Sequence, residues 1–273
     1  MLAATLVVCS CIPEPLAING LPEVKPQIVV STQIIPDQSL VVLLTKTFGA
    51  LDADGDSDPV VLLNQIAVND ALVTITGPTR TDTLRFLGLG LYGDLIIPFE
   101  DGQEYTLVVK SETLGEVHAT TTVKPKISFT DIDARLYFNG FDDTLAEVTY
   151  RFADPEGANW YMLNVHRVER EDIVEDVLNP RAYTRLIDDT KFDGTTYAEV
   201  TRVFPRNYSA GDTIVVSLSN ISEDFYTFME KRIDNRYSFI EYLSEPINYP
   251  SNVIGGKGFF NLYIPDIRTF TLE

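Results

Sequence analysis

At 273 residues the chain exceeds one typical domain of ~100–200 residues, so two domains are expected. Its 40 Asp and Glu against 21 Lys and Arg give a net charge of −19, which argues against a nucleic-acid footprint or adsorption to anionic lipid, since both need clustered positive charge. The two cysteines are Cys9 and Cys11, so the folded part rests on its apolar core without a disulfide framework.

The apolar run Leu2–Val8 leads into Val8-Cys9-Ser10-Cys11. A small residue stands before Cys11 and an apolar one three before it, the pattern of a bacterial lipobox. Residues 1–10 then read as a signal peptide, with cleavage before Cys11 and a lipid on its sulfur. No Lys or Arg precedes the run, and the run is short for a hydrophobic region of ~7–15 residues. The competing reading is a buried N-terminal strand with two chance cysteines. Residues 11–26 carry prolines at 13, 15, 22 and 26. Each proline fixes φ and removes a donor, so this segment reads as an extended, lipidated tether. No later run approaches the ~18–20 apolar residues of a membrane-spanning helix, which leaves the lipid as the expected anchor.

Strand-like runs follow at Gln27–Ser31, Ser39–Thr45, Ala71–Thr76, Tyr105–Lys110 and Val117–Val123. They are rich in Val, Leu, Ile and Thr and are separated by Pro36-Asp37, Gly77-Pro78 and Asp101-Gly102, as strands and turns should be. Residues 27–124 are therefore expected to form an Ig-like β-sandwich. Within it, Tyr105, Leu107 and Val109 share one face by the period of two.

Lys124-Pro125-Lys126 marks the expected domain boundary, and residues 125–273 read as a β-rich second domain. Its strands are placed at Ile127–Phe129, Arg135–Phe138, Ala146–Phe152, Trp160–Val168, Thr196–Phe204 and Asp212–Ser219. Asp154-Pro155-Glu156-Gly157 is a strong turn signal. One amphipathic helix is expected near 222–234. Ser222 is its N-cap, Glu223 and Asp224 suit the positive end of the dipole, and Phe225, Phe228, Met229 and Ile233 recur at helical spacing. That aromatic stripe reads as core rather than a ligand box. The glycines at 255, 256 and 258 suggest a backbone loop running into a last strand, Phe259–Ile264. They lack the Walker spacing of a phosphate cradle. The fold class is thus mostly β: an N-terminal Ig-like sandwich plus a C-terminal β-rich domain with one helix.

Asp52, Asp54, Asp56 and Asp58 alternate along one loop, and carboxylates so spaced can converge on Ca²⁺, which takes six to eight oxygens. The match to an EF-hand is partial. Ser57 holds the glycine position, Leu63 the bidentate Glu position, and Pro59 opposes a normally starting helix. A solvated acidic hairpin loop is the alternative. His118 and His166 lack the further ligands a zinc site needs, and there is no Gly-x-Ser-x-Gly nucleophile turn. Catalytic residues are not nominated. Paired carboxylates suffice for glycosidase chemistry, but 40 acidic residues do not single out a pair.

Several segments in order carry a resemblance. They are the lipobox and tether, Leu-Leu-Thr-Lys-Thr at 43–47, Gly-Gln-Glu-Tyr at 102–105, Phe-Ala-Asp-Pro-Glu-Gly at 152–157 before Trp160-Tyr161, the helix at 222–234, and Ser-Asn-Val-Ile-Gly-Gly-Lys-Gly-Phe-Phe at 251–260. The chain resembles the Bacteroidota outer-membrane lipoproteins grouped as the domain-of-unknown-function family DUF4249. The resemblance implies an outer-membrane, lipid-anchored protein, often encoded beside a TonB-dependent receptor, and supplies no catalytic residues. The expected function is a binding or accessory component acting with such a receptor. The alternatives are a surface hydrolase using paired carboxylates and a calcium-stiffened structural adhesin.

Overall fold

The computed structural model describes residues 25–34, 40–47, 59–94, 98–140, 144–168, 183–203, 207–235 and 248–273. Eight strands and one helix come first: β1 (Ile28–Ile34), β2 (Leu40–Lys46), α1 (Pro59–Ile66), β3 (Ala71–Thr76), β4 (Thr81–Thr83), β5 (Arg85–Gly88), β6 (Leu91–Asp94), β7 (Glu104–Ser111) and β8 (Gly115–Thr122). Then come β9 (Phe129–Phe138), β10 (Thr144–Ala153), β11 (Trp160–Arg167), β12 (Tyr183–Asp188), β13 (Thr196–Val203), β14 (Thr213–Ile221), α2 (Glu223–Asn235), β15 (Val253–Ile254), β16 (Lys257–Phe259) and β17 (Asp266–Thr271).

The strands form two sandwiches. In the first, one sheet runs β16-β1-β2-β6-β5 and the other β15-β8-β7-β3-β4. Leaving β15 and β16 aside, this is the ABED and CFG division of an Ig-like domain, with β4 as a short additional strand beside C. In the second, β13-β10-β9 faces β12-β11-β14-β17. That arrangement has the same A-B-E and C-F-G halves, with the fourth strand paired to C instead of E. The expected N-terminal sandwich is present, and the β-rich remainder is a second sandwich carrying a helix.

Alternation explains the cores. In β7 the pattern buries Tyr105, Leu107 and Val109 and turns Thr106 and Lys110 outward. Their buried partners include Val30, Leu44, Val73, Ile75 and Val117. β14 lies between β11 and β17 and buries Ile214, Val216 and Leu218 against Tyr161, Leu163 and Phe152. A third cluster joins the sandwiches. It holds Phe225 and Phe228 of α2, Met162, Ile221, Phe259 and Tyr263, with Ile34 and Trp160 beside them. The α2 cap is as expected, with Phe225 N donating to Ser222 Oγ at 3.3 Å.

Three expectations change. Pro59 begins α1, because the first helical turn needs no N–H from that position and its fixed φ is already helical. The described residues therefore hold a short helix in the first sandwich besides the expected one at Glu223–Asn235. The strand placed at Ile127–Phe129 starts at Phe129 and continues to Phe138. The run Phe259–Ile264 is mostly not a strand: β16 ends at Phe259 and β17 begins at Asp266.

The larger surprise lies in where that C-terminal run goes. Between β14 and β17 the chain leaves the second sandwich and supplies an edge strand to each sheet of the first. β16 pairs in parallel with β1 through Val29↔Lys257, Val30↔Gly258 and Ser31↔Phe259, and β15 pairs with β8 through Val253↔Ala119 and Ile254↔His118. Phe260 and Leu262 are buried in the first core. The approach to β1 is so close that a Cβ on Gly258, at φ +95°, would fall 1.9 Å from the Val30 carbonyl oxygen.

Candidate functional site

Three carboxylates meet at the end of the second sandwich where β11 begins at Trp160, beside the junction cluster. The turn after β10 and the turn after β12 bring Asp154, Asp189 and Asp193 together, with one carboxylate oxygen of each within 4.8 Å of the others. Asp154 and Asp189 are buried and Asp193 is exposed. Each carboxylate accepts a backbone N–H from the facing turn. Gly194 N donates to Asp154 at 2.8 Å, Asn159 N to Asp189 at 2.6 Å and Gly157 N to Asp193 at 2.8 Å. Tyr161 Oη donates to the other Asp154 oxygen, and burial first, then that contact, pushes the phenol's pKa upward.

Chemically the trio can do two things. It staples two turns, since anionic acceptors on backbone donors make strong hydrogen bonds. It also offers hard oxygens to a divalent cation, which would need further oxygens to complete a shell. Both Asp154 oxygens already have donors, which favours the staple. A glycosidase pair needs an open cleft with carboxyls ~5–10 Å apart, whereas Asp154 and Asp189 lie buried beneath the turns they hold.

Two further carboxylates are fixed by cations. Glu199 on β13 accepts from Tyr150 Oη at 2.5 Å, Tyr197 Oη at 2.8 Å and Arg185 at 3.1 Å, closing the side of the sandwich between β12 and β13. Burial raises its pKa, and the tyrosine hydroxyls and Arg185 outweigh that, so the net shift is downward. Glu147 sits on the outer face of β10, 4% exposed. What covers it is Arg135 and Arg202 at 2.6 and 2.8 Å; their hydrogen bonds lower its pKa. Arg202 also stacks 3.8 Å from the Tyr137 ring centre.

Of the residues singled out from sequence, Cys11, Asp52, Asp54, Asp56 and Asp58 lie outside the described residues. His118 is exposed on β8, opposite Ile254. His166 lies on β11 opposite Val215. The two histidines are thus on different sandwiches. The Asp154 trio was not anticipated. Its turn was visible at 154–157, but the partners arrive from a turn more than thirty residues later, and no local spacing announces them.

Residues 14–266 match the sequence model of a family described as a domain of unknown function, DUF4249. No curated protein matches the chain. Among solved structures, a two fibronectin type-III domain segment from chicken tenascin is similar at 11% identity, covering 72% of this chain and 91% of that one with a TM-score of 0.22.

Proposed function

This chain belongs to the DUF4249 family, and we propose that it is an exported, lipid-anchored binding component of the Bacteroidota outer membrane that docks on a TonB-dependent receptor. The observation that carries this reading is the order lipobox, proline-rich tether, folded body: Val8-Cys9-Ser10-Cys11, then prolines through residue 26, then β1 at Ile28. A tether of about fifteen residues spans at most ~3.5 Å per residue, so it confines the body within a few tens of ångströms of the bilayer. Confinement raises the effective concentration toward any neighbouring membrane protein, and a weak interface is then occupied. The body offers sheet edges suited to a partner. Among the described residues β5 is the last strand of its sheet and exposes Phe86 and Leu87 at 50% and 60%, and a sheet edge of this kind can receive another chain.

The test is gentle detergent extraction with an affinity tag after Glu273. One dominant β-barrel protein should co-purify, and deleting this protein should impair uptake of that barrel's substrate while the barrel's level is unchanged. Recovery of no barrel protein after cross-linking overturns the proposal.

A further inference from the structure

β1 connects the two ends of the first sandwich. It begins at Ile28, beside the N-terminal segment, and ends at Ile34, whose side chain reaches the cluster between the sandwiches. At ~3.3 Å per residue these ends are about 20 Å apart. On one side β1 pairs with β2 over seven antiparallel positions, Ile28↔Lys46 to Ile34↔Leu40. On the other it pairs in parallel with β16. The chain leaves β16 at Phe259 and runs directly into Phe260–Tyr263, which pack in the first core and the junction cluster.

This arrangement fixes how tension would act. A pull on the N-terminus draws β1 backward from Ile28. An opposing pull that reaches the first sandwich through residues 260–265, between β16 and β17, draws β16 forward from Phe259. Because the strands are parallel, the two pulls act along their common axis in opposite directions. All the ladder hydrogen bonds are then strained together, whereas peeling breaks them one at a time. Thr32 lengthens the grip past the ladder: its Oγ1 donates to the Asn261 carbonyl at 3.2 Å and accepts from Asn261 N at 3.0 Å. Gly258 makes the grip possible, since any Cβ there would collide with the Val30 backbone.

We infer that β1, held between β2 and β16, is a shear clamp that transmits tension from the N-terminal segment to the second sandwich without opening the first. The inference goes beyond receptor docking and does not depend on a lipid at Cys11, because any load between the N-terminus and the second sandwich engages it.

Single-molecule pulling on the full chain, with Cys9 and Cys11 replaced by serine so that only the handle positions carry thiols, tests it. Axial handles go on Lys25→Cys and Thr269→Cys, the latter exposed on β17, the strand that follows β16 in the chain, so that the load reaches Phe259 directly. Peeling handles go on Lys25→Cys and Lys46→Cys, which sit at the same end of the β1–β2 pair. Forced opening follows the unfolding barrier rather than equilibrium stability, so geometry alone should change the result. The first sandwich should open at clearly higher force axially than by peeling, and Gly258→Val should reduce that difference. Thr32→Val, which leaves the ladder intact, supplies a milder variant with the same expected direction should Gly258→Val not fold. Equal wild-type forces in the two geometries, or a folded variant with an undiminished difference, would overturn the clamp.

Discussion

The backbone N–H of Asn261 donates to Thr32 Oγ1 at 3.0 Å, joining β1 to the segment between β16 and β17. The same Asn261 accepts from Thr121 Oγ1 at 3.3 Å and from Ser222 Oγ at 3.5 Å. A single buried side chain therefore touches β8, the N-cap of α2 and, through its backbone, β1. Among the described residues its Nδ2 meets no acceptor. Turning the amide over only exchanges an orphan donor for an orphan acceptor, so the node is polar beyond its own satisfaction. Thr32→Val keeps the shape and removes the acceptor for the Asn261 N–H. A buried donor left unpaired costs about 1–3 kcal/mol, which thermal unfolding should report as a fall of roughly 2–4 °C per kcal/mol. Thr32→Ser should restore most of it; equal losses in the two variants would count against the hydrogen bond.

The interlock predicts that the first sandwich is not self-sufficient. Phe260 and Leu262 belong to its core, and β15 and β16 complete its edges. Phe260→Ala should cost about 3–5 kcal/mol, as large-to-small core changes do. A fragment of residues 25–124 should lack a cooperative thermal transition, and supplying residues 251–263 through a short linker should restore one. A cooperative transition in the bare fragment would remove the argument.

The strands themselves were legible because each half-buried strand writes its own period of two. Ala71–Thr76 coincides with the observed strand, and Tyr105, Leu107 and Val109 are buried together as their spacing requires. The cap at Ser222 was legible for the same reason, since capping is local. The destination of residues 253–262 was not. Their apolar residues advertise burial without saying against which sandwich, and Gly258 marks a close approach without naming Val30. The acidic trio is hidden likewise, because its geometry is set by two turns that meet only after both sheets have formed. Pro59 misled because proline's penalty inside a helix vanishes at its first position.

Glu199 predicts acid sensitivity. Burial works against its charge, but Tyr150, Tyr197 and Arg185 hold its pKa below the ordinary value, which is ~4.3 for an unperturbed Glu. A carboxylate shifted downward on folding contributes stability that is present above the unfolded value and lost as pH falls through the folded one. Glu199→Gln should therefore flatten the loss of stability below about pH 4 in urea unfolding, while lowering stability at neutral pH. Tyr197 works at the opposite end. Burial first, then Glu199, pushes its phenol up to about 12. That stabilisation is intact below ~10, the unperturbed tyrosine value, and lost as the pH climbs beyond it. In Glu199→Gln the tyrosinate absorbance should begin to rise at lower pH; an unchanged titration would argue against the Tyr–Glu coupling.

The anchor is tested by Cys11→Ala. The lipobox reading expects wild type in the detergent phase after phase partition and the variant in the aqueous phase. A wild-type protein already wholly aqueous would remove the lipid from the proposed function while leaving the two sandwiches as described.

Asp154 separates the staple from a cation site. Its two oxygens take a hydroxyl and a backbone N–H, and an asparagine can accept only one of them. Asp154→Asn therefore turns an amide donor toward either Tyr161 Oη or Gly194 N, leaving one buried donor unpaired at a cost of about 1–3 kcal/mol. If the trio is a staple, that loss is the same with millimolar calcium and with a chelator. A bound cation would instead stabilise the folded state by mass action, so the wild-type melting temperature would climb with calcium and the variant's would not. The expected result is a calcium-independent loss. The same titration also tests the loop at Asp52, Asp54, Asp56 and Asp58. A calcium-dependent rise that survives Asp154→Asn and disappears on replacing Asp54 and Asp56 with alanine assigns the ion to that loop. A rise abolished by Asp154→Asn would place calcium at the junction-facing end of the second sandwich, and the staple reading of the trio would fall.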